Sequence, residues 1–379
     1  MFEEILLEMK LIILLLVFEI GIAVGVFIGF VLKDNKEPLN ERRKMKHISF
    51  TKIPQFRNVV RNVNFQSQFE GLDENNEPIL NKNKLKPTII FHGTVKLHGT
   101  CGSVCMSDEG EMWIQSRKRI LSAENDNYGF YQFCYNRKES FNKLFKQLPK
   151  NNVVCIFGEY CGEGINSGCA IHKLPKMFVI FAVKIVPVEG DSYYINSKDL
   201  RDTENQIYNI NDFQTFLMGI DFNYPELAQN EFVKLVEEVE KECPVGEEFG
   251  VSGVGEGIVW VGEYEGQRHY IKTKGQKHSI SNVKKIAPVD VEKVNSVREF
   301  VEYAVTKNRM NQAVIEIFED QEPIIQKMGD YLRWIVNDIA KEELDVLKEN
   351  NLILKDVGKA VSTKARIWFQ ELLDKNVGL

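Results

Sequence analysis

From His47 to Pro288 the apolar residues come in short β-branched runs separated by Gly, Asn and Asp, which commits this stretch to a sheet-rich fold. TIIFHGTVKL, CGSVCM and MWIQS follow one another, with the turn SDEGE before the last; NVVCIFGEY, MFVIFAVKIV, EGIVWVGEY and RHYIKTKG come later. Helical spacing fits between them at Phe130 to Leu148, Asn211 to Met218 and Tyr224 to Glu242. From Val291 the period becomes that of helices. Ser296 with Glu299 three positions on has the spacing of a capping box, and Phe300, Val301, Ala304 and Val305 then share one face. A second face collects Ile324, Ile325, Met328, Leu332, Ile335, Val336 and Ile339, and a third Val357, Val361, Ala365, Trp368 and Leu372.

Ahead of these, Leu11 to Leu32 is a 22-residue run whose single charge is Glu19, long enough to cross a bilayer as a helix. Its 17 Leu, Ile, Val and Phe residues contribute roughly -7 kcal/mol on an insertion scale, against about +3 kcal/mol for the acid. Lys33, Lys36, Arg42, Arg43, Lys44 and Lys46 follow, a bias that puts the rest of the chain on the cytosolic side. A cleaved signal peptide is disfavoured by the length of the apolar core; the rival is a start codon taken too early, which would leave a soluble intracellular protein. The expected division is a transmembrane helix and basic linker over 1–46, a sheet-rich domain over 47–290 and a helical domain over 291–379.

With 48 basic and 54 acidic residues the net charge is -6, which excludes coating nucleic acid by bulk electrostatics and leaves room only for a local basic site. Seven cysteines without a Cys-x-x-Cys pair give neither a disulfide framework nor a zinc pattern, and read as free thiols in a reducing compartment.

The chemistry concentrates in HGTVKLHGTCGSV, where Lys96 emerges from an apolar run and Gly99 follows at the third position. A lysine becomes a nucleophile once it loses its proton, which neighbouring cations, bound metal or partial burial promote. A glycine nearby lets the backbone approach a nucleotide closely. Other groups required for nucleotidyl transfer come in order: Glu159 in FGEY, Glu256 beside Gly257 in GEGIVW, and Lys272 and Lys274 in YIKTKG. In a strand the last two present both ammonium groups on one face, able to hold a triphosphate. The carboxylates suit a ribose hydroxyl or a divalent metal. Any one of these alone is a solvated strand-end charge; the ordered set is more specific. His172 with Cys161 and Cys169 matches no zinc spacing, His92 and His269 flank strand positions, and Trp260 and Trp334 fit packing.

In that order the motifs resemble those of the covalent nucleotidyltransferase superfamily of ATP-dependent ligases and mRNA capping enzymes. KLHGT is similar to the first motif of the RNA ligase 2 branch, in which His stands where DNA ligases and capping enzymes usually have Asp. The likeness covers about His47 to Lys285. It implies an α+β fold: an antiparallel-sheet-rich nucleotidyltransferase (adenylation) domain followed by a small all-α C-terminal domain, here behind an N-terminal hydrophobic helix. By resemblance Lys96 is the adenylated nucleophile, with His98 and Gly99 completing its motif. Arg117 in QSRKR matches the next motif's arginine, with Arg119 close enough to be its counterpart. Glu159 is implied at the ribose, Phe181 on the adenine, Glu256 at the metal, and Lys272 and Lys274 on phosphates. ATP and Mg2+ are the implied cofactors, Mn2+ a substitute, and RNA ends, nicked or duplex, the implied partners. The sequence departs from the family at Val95, Cys101 and Ala182, where Glu, Asn and Asp are common.

The implied reaction is sealing of RNA 5′-phosphate and 3′-hydroxyl ends through a lysyl-AMP and an adenylated RNA end. One alternative is a DNA ligase or capping-type nucleotidyltransferase using the same lysine, which the His of KLHGT disfavours. Another is a membrane-tethered nucleic-acid-binding protein that has lost catalysis, motivated by the three departures and opposed by the retained lysine.

Overall fold

The described chain enters its fold through a helix that the β-rich texture conceals. In the computed structural model, which describes residues 45–275 and 297–377, α1 (Phe56–Gln68) buries Phe56, Val59, Val60 and Val63, spaced three and four apart. The predicted span 11–32 and Ser296 of the capping box lie outside the described residues. Among the described residues no helix is long and apolar enough to cross a membrane. All elements below belong to the unit His47–Leu379.

A hairpin of β1 (Phe69–Leu72) and β2 (Pro78–Leu80) precedes β3 (Thr88–Lys96), β4 (Thr100–Met106) and β5 (Met112–Ser116). Then come α2 (Phe130–Tyr135), α3 (Lys138–Phe145), β6 (Val153–Cys161), β7 (Met177–Val186), β8 (Tyr193–Ile195), β9 (Ile207–Asn209) and β10 (Thr215–Asp221). α4 (Glu226–Lys241), α5 (Pro244–Glu248), β11 (Gly257–Tyr264) and β12 (Gln267–Lys274) complete the sheet-rich part. The strands form two larger sheets. One has the order β10-β3-β11-β12; the other runs β5-β4-β6-β7-β8, with β9 parallel to β7 and the remaining pairs antiparallel.

Alternation along β3 sends Ile89, Phe91 and Val95 inward and Thr88, Ile90 and His92 outward. The inward set joins Ile258, Trp260 and Ile271 of its neighbours and packs on Phe56 of α1 and Phe232 and Val236 of α4. The second sheet buries Val104, Ile156, Phe178 and Ile180 against Phe130, Phe133 and Phe141. Phe50 covers its other side at Cys105, Phe157 and Ala182. All seven cysteines are free.

Two sequence expectations are corrected. The helix expected at Asn211 to Met218 is a 3-10 turn at Ile210–Asp212 followed by β10, which pairs along its whole length with β3. Met218 and Ile220 face in while Leu217 and Gly219 face out, a period of two that so short an apolar stretch displays only once a partner strand is known. Ile324 and Ile325 are exposed instead of joining the face that begins at Met328, because α8 (below) starts there.

The C-terminal part is helical: α6 (Val297–Ala304), α7 (Lys307–Phe318), α8 (Met328–Glu342), α9 (Leu344–Glu349) and α10 (Leu354–Val377). Phe300, Tyr331, Ile335, Ile339, Val357, Val361 and Phe369 form its core. Thr306 caps α7 by accepting from the Arg309 N–H. Charges bind this part to α1: Arg309, wholly buried, lies 3.0 Å from Asp338 and 2.7 Å from Glu343, and Arg57 of α1 reaches the same Glu343 at 2.5 Å.

Candidate active site

The chain passes from one large sheet to the other within three residues, leaving β3 at Lys96 and entering β4 at Thr100. Lys96 therefore sits at a seam. In the first sheet Gly257 pairs with Lys96 on one side and with Lys274 on the other, so register alone brings both lysines to the residue just before β11, Glu256. Lys96 Nζ donates to Glu256 Oε2 at 2.7 Å, Lys274 Nζ lies 2.8 Å from Oε1, and His98 Nδ1 lies 3.4 Å from Oε2. Lys272, two residues back on β12, shares the face of Lys274.

The second sheet supplies Glu159 of β6, which stands opposite Cys101 of β4. Its Oε1 accepts the Gly99 N–H at 2.9 Å, while Asn166 Nδ2 donates to the Gly99 carbonyl at 2.7 Å. Both peptide groups of the turn after the lysine are thus held. Gly99 is required by close approach: a Cβ there would collide with the carbonyl oxygen of Tyr160. Gly99→Ala is expected to cost about 1–3 kcal/mol of stability, as overpacked sites do, and to misplace Lys96; a denaturant melt of the variant measures the first.

Electrostatics divide the two carboxylates. Burial alone would raise the Glu256 carboxyl, yet Lys274 and Lys96, with the His98 contact, outweigh it and hold it well below the usual range. Burial raises Glu159, helped by Glu256 and opposed by Lys96. Burial would lower the Lys96 ammonium, but Glu256 and then Glu159 outweigh that and raise it, so the amine is charged at neutral pH. Lys272 goes the other way: burial, and the nearby Lys274, lower it to about 8 against the pull of Glu342 and Asp338. Its charge is complete below that value and lost above it. If it grips phosphates, the apparent KM for ATP should rise roughly tenfold between pH 7 and pH 9.5, by the strength of one charge-assisted bond, and Lys272→Arg should flatten the rise; a KM series against pH decides.

These groups line one cavity of about 950 Å³. Thr94, Lys96, Val259, Tyr270, Lys272 and Lys274 come from the first sheet, and Cys101, Glu159 and Phe181 from the second. Phe181 meets Phe50 edge to face at 5.0 Å. His98, Gly99, Glu256 and Arg117 also line the cavity, whereas Arg119 does not and instead pairs with Glu319. The helical part adds Asn311, Gln312, Trp334 and Asp338 to the wall. Sequence reasoning misses Phe50, Lys52 and Asn166. The last carries no signal beyond polarity, but Lys52, 3.0 Å from both Asp338 and Glu342, stands in a run rich in basic residues.

Among the described residues no three His, Cys, Asp or Glu side chains gather as metal ligands, so Cys161, Cys169 and His172 make no such site. Trp260 is a core residue, wholly buried with its indole N–H on Thr273 at 3.0 Å. Glu256 and Glu159 are the carboxylates beside Lys96. That donor set fits a divalent ion carried with a nucleotide, since Mg2+ takes one or two carboxylates and completes its shell with phosphates and water.

No curated protein matches the chain. Among solved structures it is similar to a Naegleria gruberi RNA ligase mutant with AMP and Mn, at 16% identity and TM-score 0.39 over 61% of this chain and 56% of that one. It is similar also to a mutant with ATP and Mn, at 15% identity and TM-score 0.40 over 62% and 57%. The Naegleria gruberi RNA ligase with PPi gives 16% identity and TM-score 0.40 over 61% and 56%. The chain thus spans a little over half the length of these proteins. The RNA ligase family model matches residues 90–274, from the third residue of β3 to the last of β12, and so takes in Lys96, Glu159, Glu256, Lys272 and Lys274 together. Over these residues, just under half of the chain, the sequence matches the RNA ligase family.

Proposed function

We propose that this protein is an ATP-dependent RNA ligase that joins a 5′-phosphate end to a 3′-hydroxyl end. The observation that carries the reading is the contact of Lys96 with Glu256, itself paired to Lys274, inside the segment that matches the RNA ligase family. In the first step the Lys96 nitrogen bonds to the α-phosphorus of ATP as the bond to pyrophosphate breaks and the amine sheds a proton. Glu256, held well below the usual carboxylate range, keeps that proton on the amine at rest, and the proton passes to water as Oε2 gives up its contact with the nitrogen. Lys272 and Lys274 bind the phosphates, Phe181 the adenine, and Glu159 the ribose, with Arg117 at the mouth of the cavity. A divalent ion held between nucleotide phosphates and Glu256 would neutralise charge on the phosphate oxygens. AMP then passes to the RNA 5′-phosphate, and attack by the 3′-hydroxyl expels it. Alignment and fixed charge supply most of the catalysis. Residues 11–32 are proposed to anchor the chain in a membrane with this site on the cytosolic side, on the strength of the apolar run and the basic flank after it.

The test uses the full chain in detergent, treated with pyrophosphate to strip any bound AMP, then given Mg2+ and α-labelled ATP. Label should stay on the denatured protein, leave it in acid, and move to 5′-phosphorylated RNA but not to 5′-hydroxyl RNA. A folded, stripped protein that takes no label would overturn the reading.

A further inference from the structure

Two carboxylates of the helical part, Glu316 and Glu319, line the cavity beside a basic run. Three cations stand in succession after β5: Arg117, Lys118 and Arg119. Arg117 Nη1 donates to Glu316 Oε1 at 2.7 Å, and Lys118 Nζ lies 3.7 Å from Glu316 Oε2, so both oxygens of one carboxylate are engaged. Arg119 pairs with Glu319, whose Oε1 also accepts from Ser116 Oγ at 2.8 Å. Asp320 Oδ2 takes the Tyr128 N–H at 2.8 Å. These acids belong to the last turn of α7 and the residues just after it, about two hundred residues along the chain. Glu319 adopts a left-handed φ of +53°, a conformation costly for a side chain of its kind and held here by its contacts.

We propose that Glu316 and Glu319 mimic nucleic-acid phosphates on Arg117, Lys118 and Arg119, and that a 5′-phosphorylated RNA end must displace them to reach Lys96. This rests on the RNA ligase reading. Carboxylate and phosphate present the same paired oxygens to a guanidinium, so one basic run serves either. Three cations in succession along a loop, the first two exposed, suit a phosphodiester chain better than a triphosphate, for which the less exposed Lys272 and Lys274 already line the cavity. In a chain of net charge -6 the acids also screen the one basic run at the cavity from unproductive polyanions.

The experiment compares the full chain with Glu316→Gln/Glu319→Gln and with the charge swap Arg119→Glu/Glu319→Arg, titrating each with a fluorescent 12-nucleotide RNA bearing a 5′-phosphate or a 5′-hydroxyl. Protein-AMP formation from ATP is followed in parallel. The glutamine pair should bind the phosphorylated RNA about tenfold more tightly, by the removal of a competing charged partner, with a smaller gain for the 5′-hydroxyl RNA and adenylation unchanged. The swap restores an ion pair between loop and helix, so it should keep the parent's melting temperature yet lose RNA affinity. Unchanged affinity in the glutamine pair, or normal RNA binding by the swap, would overturn the proposal and leave these pairs as ordinary packing contacts. Should the glutamine pair not fold, the swap alone still decides. If even the parent forms no protein-AMP, the ligase reading fails, and the RNA titrations still decide whether the acids compete with phosphate.

Discussion

Lys96→Arg abolishes protein-AMP formation, with a loss of at least about a thousandfold expected from removal of a covalent nucleophile. Arginine keeps the positive charge and the pairing with Glu256, so the site stays closed and the fold intact, but a guanidinium does not give up its proton in water and offers no lone pair to phosphorus. This makes it a stricter variant than alanine, which also leaves Glu256 with one cation fewer in a buried place. Label from α-labelled ATP, counted on the denatured chain, measures the loss, and an unchanged melting temperature shows that chemistry and not folding is gone. Residual label in Lys96→Arg would move the nucleophile to another amine, with Lys272 foremost because its lowered value leaves more of it neutral near pH 8. The resting site also explains why the amine needs activation: Glu256 holds the proton on Lys96, so the nucleophile is formed only when the contacts of that carboxylate change.

Much of this site is legible because it is built by register. Once Lys96 ends one strand, and Glu256 and Lys274 lie at the start and end of two others, antiparallel pairing of β3, β11 and β12 leaves them no choice but to meet. Short continuous apolar runs such as MFVIFAVKIV, rich in β-branched residues, also announce their strands locally. What sequence does not disclose depends on contacts between distant segments. α1 has a clear apolar spacing, but it lies among β-branched residues and becomes a helix through its packing on α4 and β12. β10 has its character fixed by β3, more than a hundred residues earlier. Phe50 and Asn166 are ordinary residues until the fold carries one to Phe181 and the other to Gly99. That Arg117 lines the cavity while Arg119 pairs with Glu319 is likewise a contact between segments about two hundred residues apart.

Arg309→Met is expected to destabilise the helical part by about 3–5 kcal/mol, the usual cost of breaking a buried ion pair from one side. Arg309 is wholly buried and joins Asp338 to Glu343, and Glu343 is itself wholly buried and shared with Arg57. Methionine replaces the stem of the side chain and leaves out the guanidinium, so the loss falls on the carboxylates: Asp338 keeps Lys52 and Glu343 keeps Arg57, each with one cation fewer in a place of low dielectric. Burial alone would raise the Glu343 carboxyl, but Arg309 and Arg57 outweigh it and hold it at about 2. A carboxylate lowered in the folded state stabilises fully above its unfolded value of 4.5, and that contribution drains away as pH falls through 4.5 toward 2. The parent chain should therefore lose stability over that window, and Arg309→Met should lose less there, because part of the contribution is already absent at neutral pH. Denaturant midpoints at pH 7, 5 and 3 test both statements at once. Equal midpoints for the two chains at pH 7 would show that Arg57 alone secures Glu343. The consequence reaches the site, since Asp338 both pairs with Arg309 and lines the cavity: the network that fastens the helical part to α1 also sets the position of the wall facing Lys272.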